Sequence, residues 1–147
     1  MATKKKVAIK HDPSSVSSQV AAREQEARNL ALAIAGAGLE HKALNVEIID
    51  VRGKVDYTDY VIVMSGTSDR HVNALGRRID ETLLEDHAVR CTAMEGMPHG
   101  TWLLMDYSDV IVHIFHEDTR GYYDLETLWM DAARVPASEG APAPSPG

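Results

Sequence analysis

A single cysteine, Cys91, leaves this chain no internal disulfide and points to a reducing, cytoplasmic setting. No apolar run approaches the roughly 20 residues that cross a bilayer. The start, Met1 to Pro13, carries Lys4, Lys5 and Lys6 with no apolar stretch behind them, so neither a membrane span nor a secretory signal is expected. Positive charge is in deficit, with a net charge of −7. Such a surface repels free phosphate backbones on average; a basic protein is the more natural partner, with little direct nucleic-acid contact. Catalytic signatures are missing as well. There is no GxxxxGK[ST] loop, no HExxH, no GxSxG elbow, and Cys91 lies in no nucleophile motif.

What is present suits one soluble globular domain: 147 residues, 44% hydrophobic and 25% charged. The stretch Thr101 to Phe115, TWLLMDYSDVIVHIF, organises the rest. It reads as a β-hairpin in which Trp102, Leu104 and Asp106 share one face and Leu103 and Met105 the other. Val110 to Phe115 is almost continuously apolar, as in a strand covered on both faces. A second such run, Tyr60 to Met64, predicts a central strand, and Val46 to Val51 a first strand.

Helical spacing appears in three places. From Gln19 to Glu40, Val20, Ala27, Leu30, Ala31 and Ile34 predict an amphipathic helix, with Ser17 or Ser18 as N-cap and Gly36 and Gly38 near its end. After Tyr60–Met64, Ser68 predicts the cap of a helix burying Val72, Leu75, Ile79 and Leu83. Leu125, Leu128, Trp129 and Ala132 predict a last helix over Tyr123 to Ala133, and Ala88 to Met94 a weaker strand. The order argues for an α/β domain, a mixed sheet covered by helices, over residues 19–135. Residues 1–18 and 136–147 are expected to be disordered tails.

The loop Ser65 to Asp69 joins a central strand to a helix start, where N–H groups and hydroxyls can cradle an anion. Asp69 would repel a phosphate there and no Lys follows, so a structural turn and cap is favoured over a nucleotide site. Among the histidines His71, His99, His113 and His116 no metal spacing exists, and His113 reads as a hydrogen-bonded, partly buried imidazole. The carboxylates Glu95, Asp106, Asp109, Asp124 and Glu126 form no pair whose separation the sequence establishes. Neither a catalytic set, a metal nor a cofactor is expected. Trp102, between Glu95 and Asp106, suits either an interface anchor or the core.

Taken together, DYVIVMSGTSDRHV (Asp59 to Val72), Glu95-Gly96, GTWLLMDYSDVIVHIF (Gly100 to Phe115) and YYDLETLWMDA (Tyr122 to Ala132) resemble the ribosomal silencing factor, or Iojap, family, over about Val46 to Ala133. The resemblance implies a nucleotidyltransferase-like architecture. It departs from those enzymes because Gly66-Thr67-Ser68-Asp69 leads to Arg70-His71 and not to an Asp-x-Asp pair that would hold metal ions. It implies a non-enzymatic translational repressor that binds the fourteenth protein of the large ribosomal subunit and keeps the small subunit from joining. The docking patch would include the hairpin: Trp102, Leu104, Asp106 and Tyr107, with Glu95, Asp69 and Arg70 nearby. The rival readings are a nucleotidyltransferase-like enzyme, or nucleotide-binding protein, using Ser65 to Asp69, and a homodimeric adaptor paired through its Trp and Tyr residues.

Overall fold

The computed structural model describes residues 13–96 and 101–140. Lys4 to Lys6, the loop holding His99 and Gly100, and the end of the Pro-rich segment lie outside the described residues. A long helix, α1 (Pro13–Glu40), leads to β1 (Leu44–Asp50), β2 (Tyr60–Gly66), α2 (Asp69–His87) and β3 (Ala93–Gly96). β4 (Trp102–Asp106) and β5 (Val110–His116) follow, then α3 (Glu117–Tyr123), α4 (Leu125–Leu128), β6 (Arg134–Val135) and a 3₁₀ turn at Ala137–Gly140. The strands form one six-stranded sheet in the order β3-β4-β5-β2-β1-β6. Among the described strands only β2 and β5 pair in parallel, which makes the sheet mixed and the domain α/β, as its element order predicts.

The centre of the sheet is the most apolar sequence in the chain. Every residue of β2 is buried, and its parallel register with β5 sets Tyr60 beside Val110 and Gly66 beside His116. On one face, Ile48, Tyr60, Ile62, Met64, Leu103, Met105, Val112 and Ile114 pack beneath α1 and α2. Each fully buried aliphatic side chain there contributes about 1.5–3 kcal/mol. α2 buries the expected Val72, Leu75, Ile79 and Leu83, and Ser68 caps it by accepting the His71 N–H. It stops at Ala88, left-handed at φ 56, whose N–H returns to Leu83 and Leu84 carbonyls.

Several boundaries differ from expectation. α1 starts at Pro13, so residues 13–18, expected as tail, are helical, and Ser17 and Ser18 are interior and not caps. Proline suits a first helical turn because its φ is already set and its missing N–H would have no partner there. Packing begins only at Ala27; Val20, expected on the buried face, is exposed. At the other end Ala137–Gly140, expected as tail, forms a 3₁₀ turn that packs on α1, with Arg28 3.4 Å from Glu139. The weak strand expected at Ala88 to Met94 occupies Ala93–Gly96 instead.

The single last helix is also corrected. Asp124 takes the left-handed conformation, φ 47, and splits the segment into α3 and α4. Asp tolerates that region because its short side chain bonds locally; its carboxylate accepts the Thr127 hydroxyl at 2.6 Å. Trp129 and Ala132 then cover Ile49, Val51, Val61, Val63 and Phe115 on the second face of the sheet, while Leu128 faces solvent.

Candidate functional site

The strap formed by α3, α4 and the turn after them covers the second face only in part. Beyond Trp102, towards the edge, none of the described helices covers that face, where Leu104, Asp106, Ile111 and His113 are half-buried and Glu95 is exposed. Register places Glu95 opposite Leu104 and Leu104 opposite His113, with Ala93, Asp106 and Ile111 in the next row and Trp102 beside Phe115. Alternation along β4 points Trp102, Leu104 and Asp106 outward from the helices, half-buried, while Leu103 and Met105 enter the core. Glu95 on the edge strand is exposed.

Trp102 anchors this face. Its ring stacks on Phe115 at 5.1 Å between centroids and lies 4.7 Å from that of Tyr123. Its Nε1–H donates to Nδ1 of His113 at 3.1 Å. Burial pushes the His113 imidazole down to about 4, so the ring is neutral at pH 7 and accepts. The indole's one polar atom is thereby satisfied inside the sheet face. Asp106 shapes the hairpin: its Oδ1 accepts the Ser108 N–H at 2.7 Å, and Ser108 turns the chain at φ 71.

Not every expected site residue joins the patch. Tyr107 is corrected: it continues the inward series Leu103, Met105 and is 4% exposed beneath the helices, so its ring presents nothing to a partner. Asp69 and Arg70 are exposed at the start of α2, at the end of the sheet where Gly66 pairs with His116 and Trp102 with Phe115. They belong to that end of the molecule and not to the open face.

Three polar groups of the Ser65–Asp69 loop are engaged within the fold. Thr67 N–H donates to Nδ1 of His71 at 2.9 Å, Ser68 Oγ accepts the His71 N–H at 3.0 Å, and the buried Ser65 hydroxyl accepts from Arg120 at 3.1 Å. A Cβ on Gly66 would sit 3.0 Å from the Val72 nitrogen, so the glycine serves the tight entry into α2. Among the described residues no group of three His, Cys, Asp or Glu side chains is placed to hold a metal ion. None of the described helices is long and apolar enough to cross a membrane. A cleft of about 590 Å³ lies between α1, the end of α2 and the hairpin turn, lined by Glu26, Leu30, Ala33, His87, Val89 and Asp109; it contains none of the patch residues.

Arg120 is the functional support that sequence reading missed. Only 7% exposed, it reaches from α3 to the carbonyls of Leu44 and Asn45, to Ser65, and to Glu47 and Glu126 at 3.3 and 3.2 Å. Its target is the irregular start of β1, where the register with β2 shifts between Leu44 and Glu47 and frees those carbonyls. The signal available was a lone cation in an acidic run, EDTRGYYDLE. It holds down the strap that carries Tyr123 against Trp102.

The family model "Ribosomal silencing factor during starvation" matches residues 24–146. The ribosomal silencing factor RsfS of Bacillus subtilis is 38% identical over 102 residues, 69% of this chain and 86% of that protein. The mouse protein named mitochondrial assembly of ribosomal large subunit protein 1 is 30% identical over 92 residues, 61% of this chain and 40% of its own length. A crystal structure of a Chromobacterium violaceum protein superposes with a TM-score of 0.63 at 31% identity, covering 82% of this chain and 89% of that one. One from Bacillus halodurans gives 0.61 at 32%, covering 76% and 97%. With the model spanning most of its length and the fold shared, this chain belongs to the ribosomal silencing factor family.

Proposed function

We propose that the protein is a cytoplasmic translational repressor. It docks on the large ribosomal subunit through a basic ribosomal protein, the fourteenth of that subunit, and excludes the small subunit by overlap. The observation that carries this reading is the uncovered half of a sheet face, Trp102, Leu104 and Asp106 with Glu95 beside them, on a chain of net charge −7 whose relatives are named silencing factors. The indole and Leu104 supply apolar anchors. Glu95 and Asp106 steer towards and pair with Lys and Arg of the partner. Asp69 and Arg70 extend the contact at the sheet end. Tyr107 contributes only by filling the core behind it. A standard interface of roughly 1,200–2,000 Å² in total is enough for the steric effect; no bond is made or broken.

A gradient profile tests the proposal: purified large and small subunits are mixed with and without the protein. The expected result is co-sedimentation with large subunits and loss of joined ribosomes. Joined ribosomes at their usual level under saturating protein would overturn it. Calorimetry with a nucleoside triphosphate and magnesium tests the enzyme reading, and no heat is expected, because the loop's Thr67 N–H and Ser68 hydroxyl are occupied within the fold. Light scattering of the free protein tests the homodimeric adaptor.

A further inference from the structure

The aromatic contacts do not end at Trp102. From the fully buried Phe115 they step to Trp102, then to Tyr123 at 4.7 Å, then to Tyr122, whose ring lies 5.5 Å from Tyr123 at 75°. Tyr122 is 86% exposed, the most of any large apolar or aromatic side chain described. Two rings set edge to face make a corner open to solvent, joined to the proposed docking face through Trp102.

The charge around that corner is of one sign. Within residues 117–131 stand Glu117, Asp118, Asp124, Glu126 and Asp131, and the only cation is Arg120, which is turned inward. Asp118 precedes Tyr122 by one helical turn and so shares its face. Its carboxylate is exposed, with only the His116 ring at 3.7 Å among the described ion pairs. Asp124 follows Tyr123 directly and takes part in none of them, its carboxylate accepting the Thr127 hydroxyl; of the cations beside the strap, Lys54 is held by Asp131 at 3.0 Å and Arg134 by Glu47 at 3.5 Å.

We propose that Tyr122 and Tyr123, with Asp118 and Asp124, form a seat for a guanidinium of the basic partner. The proposal rests on the docking reading above and extends it beyond the sheet. A planar cation lies flat on one tyrosine ring and against the edge of the other, drawn by the ring quadrupoles and balanced by the two carboxylates. Stacked RNA bases would fit the rings equally well. They would bring phosphates to the five carboxylates of residues 117–131, whose one cation, Arg120, is turned inward, so the charge favours the guanidinium.

The test is the affinity of the full chain for purified large ribosomal subunits, compared among wild type, Tyr122→Phe, Tyr122→Ala and the pair Asp118→Asn with Asp124→Asn. Tyr122→Ala is expected to weaken binding by about 3- to 30-fold, the span of a cation–π contact from exposed to desolvated. Tyr122→Phe keeps the ring and stays within about twofold, and the double Asn variant weakens binding and flattens its salt dependence. Wild-type affinity in Tyr122→Ala, or equal losses in Tyr122→Phe and Tyr122→Ala, overturns the seat while leaving the docking reading intact. Tyr122-dependent binding to protein-free large-subunit RNA also overturns it, in favour of base stacking. If wild type itself does not bind, the docking reading fails, and the seat with it.

Discussion

Trp102 donates its indole N–H to Nδ1 of His113 across the β4–β5 pair, at 3.1 Å. The bond exists only while that nitrogen lacks a proton, and burial keeps it so, with the folded imidazole titrating near 4 against 6.5 in the unfolded chain. Between those values the unfolded chain binds a proton that the folded one refuses. Stability from this residue is therefore complete above pH 6.5, falls as pH drops towards 4, and levels off below. Linkage puts the loss on the order of 2–3 kcal/mol. Urea unfolding at pH 7.0, 5.5 and 4.5 checks it against His113→Gln, whose amide can accept the same bond without titrating. The variant should show a shallower fall over that range; an identical fall in both proteins would mean other groups carry the effect.

The same bond divides the patch into residues with double duty and residues free to change. Trp102→Ala is expected to cost about 2 kcal/mol in binding to large subunits, but it also removes a ring packed on Phe115 and Tyr123. Leu104→Asp and Glu95→Lys separate the roles. Leu104 is half-buried and Glu95 exposed, so melting temperatures should shift by only a few degrees while co-sedimentation falls. Glu95→Lys should act chiefly on the association rate and lose its effect at high salt. Both variants co-sedimenting like wild type would remove the open face from the interface.

Much of this arrangement was legible in the residues themselves. Alternation from Trp102 to Met105 assigns the two faces of β4, and Ser68 with the Val72–Leu83 spacing defines α2, because local sterics and burial act there without competition. The same alternation, carried one step further, places Tyr107 with Leu103 and Met105 in the core; its amphipathic character gave a misleading weight to the surface. The break at Asp124 was hidden because Leu125, Leu128, Trp129 and Ala132 keep a helical spacing that only tertiary contacts override. The exposed first half of α1 was hidden for a related reason: periodicity shows which face is apolar, not whether anything covers it.

Arg120 is expected to be the most sensitive single position for the strap. Removing it leaves Glu126, the Ser65 hydroxyl and the carbonyls of Leu44 and Asn45 without their cation, and Glu47 with Arg134 alone. Breaking a fully buried ion pair costs about 3–5 kcal/mol, and the partial exposure of Glu47 and Glu126 brings the loss here to about 2–3 kcal/mol. Arg120→Leu should lower the urea midpoint accordingly. Arg120→Lys should recover little, since an ammonium cannot bridge two carboxylates, a hydroxyl and the backbone at once. A midpoint within experimental scatter of wild type for Arg120→Leu would show that the strap is held by Trp129 and Ala132 alone.

Gly76 makes the last case, because it lets α2 approach β4 more closely than any other residue would. A Cβ there would run into the Leu103 side chain. Alanine ordinarily favours a helix interior over glycine by about 1 kcal/mol, so the sign of Gly76→Ala decides between propensity and packing. Overpacking is expected to win, with a net loss of about 1–2 kcal/mol. Leu103→Ala alone opens a cavity in the helix-covered core and costs about 2–3 kcal/mol. Combining the two should cost less than the sum, since the new methyl occupies part of the space Leu103 vacates, a coupling of about 1 kcal/mol or more in a double-mutant cycle by urea unfolding. Additive losses would mean that α2 moves away from β4 and the close approach is not enforced by Leu103.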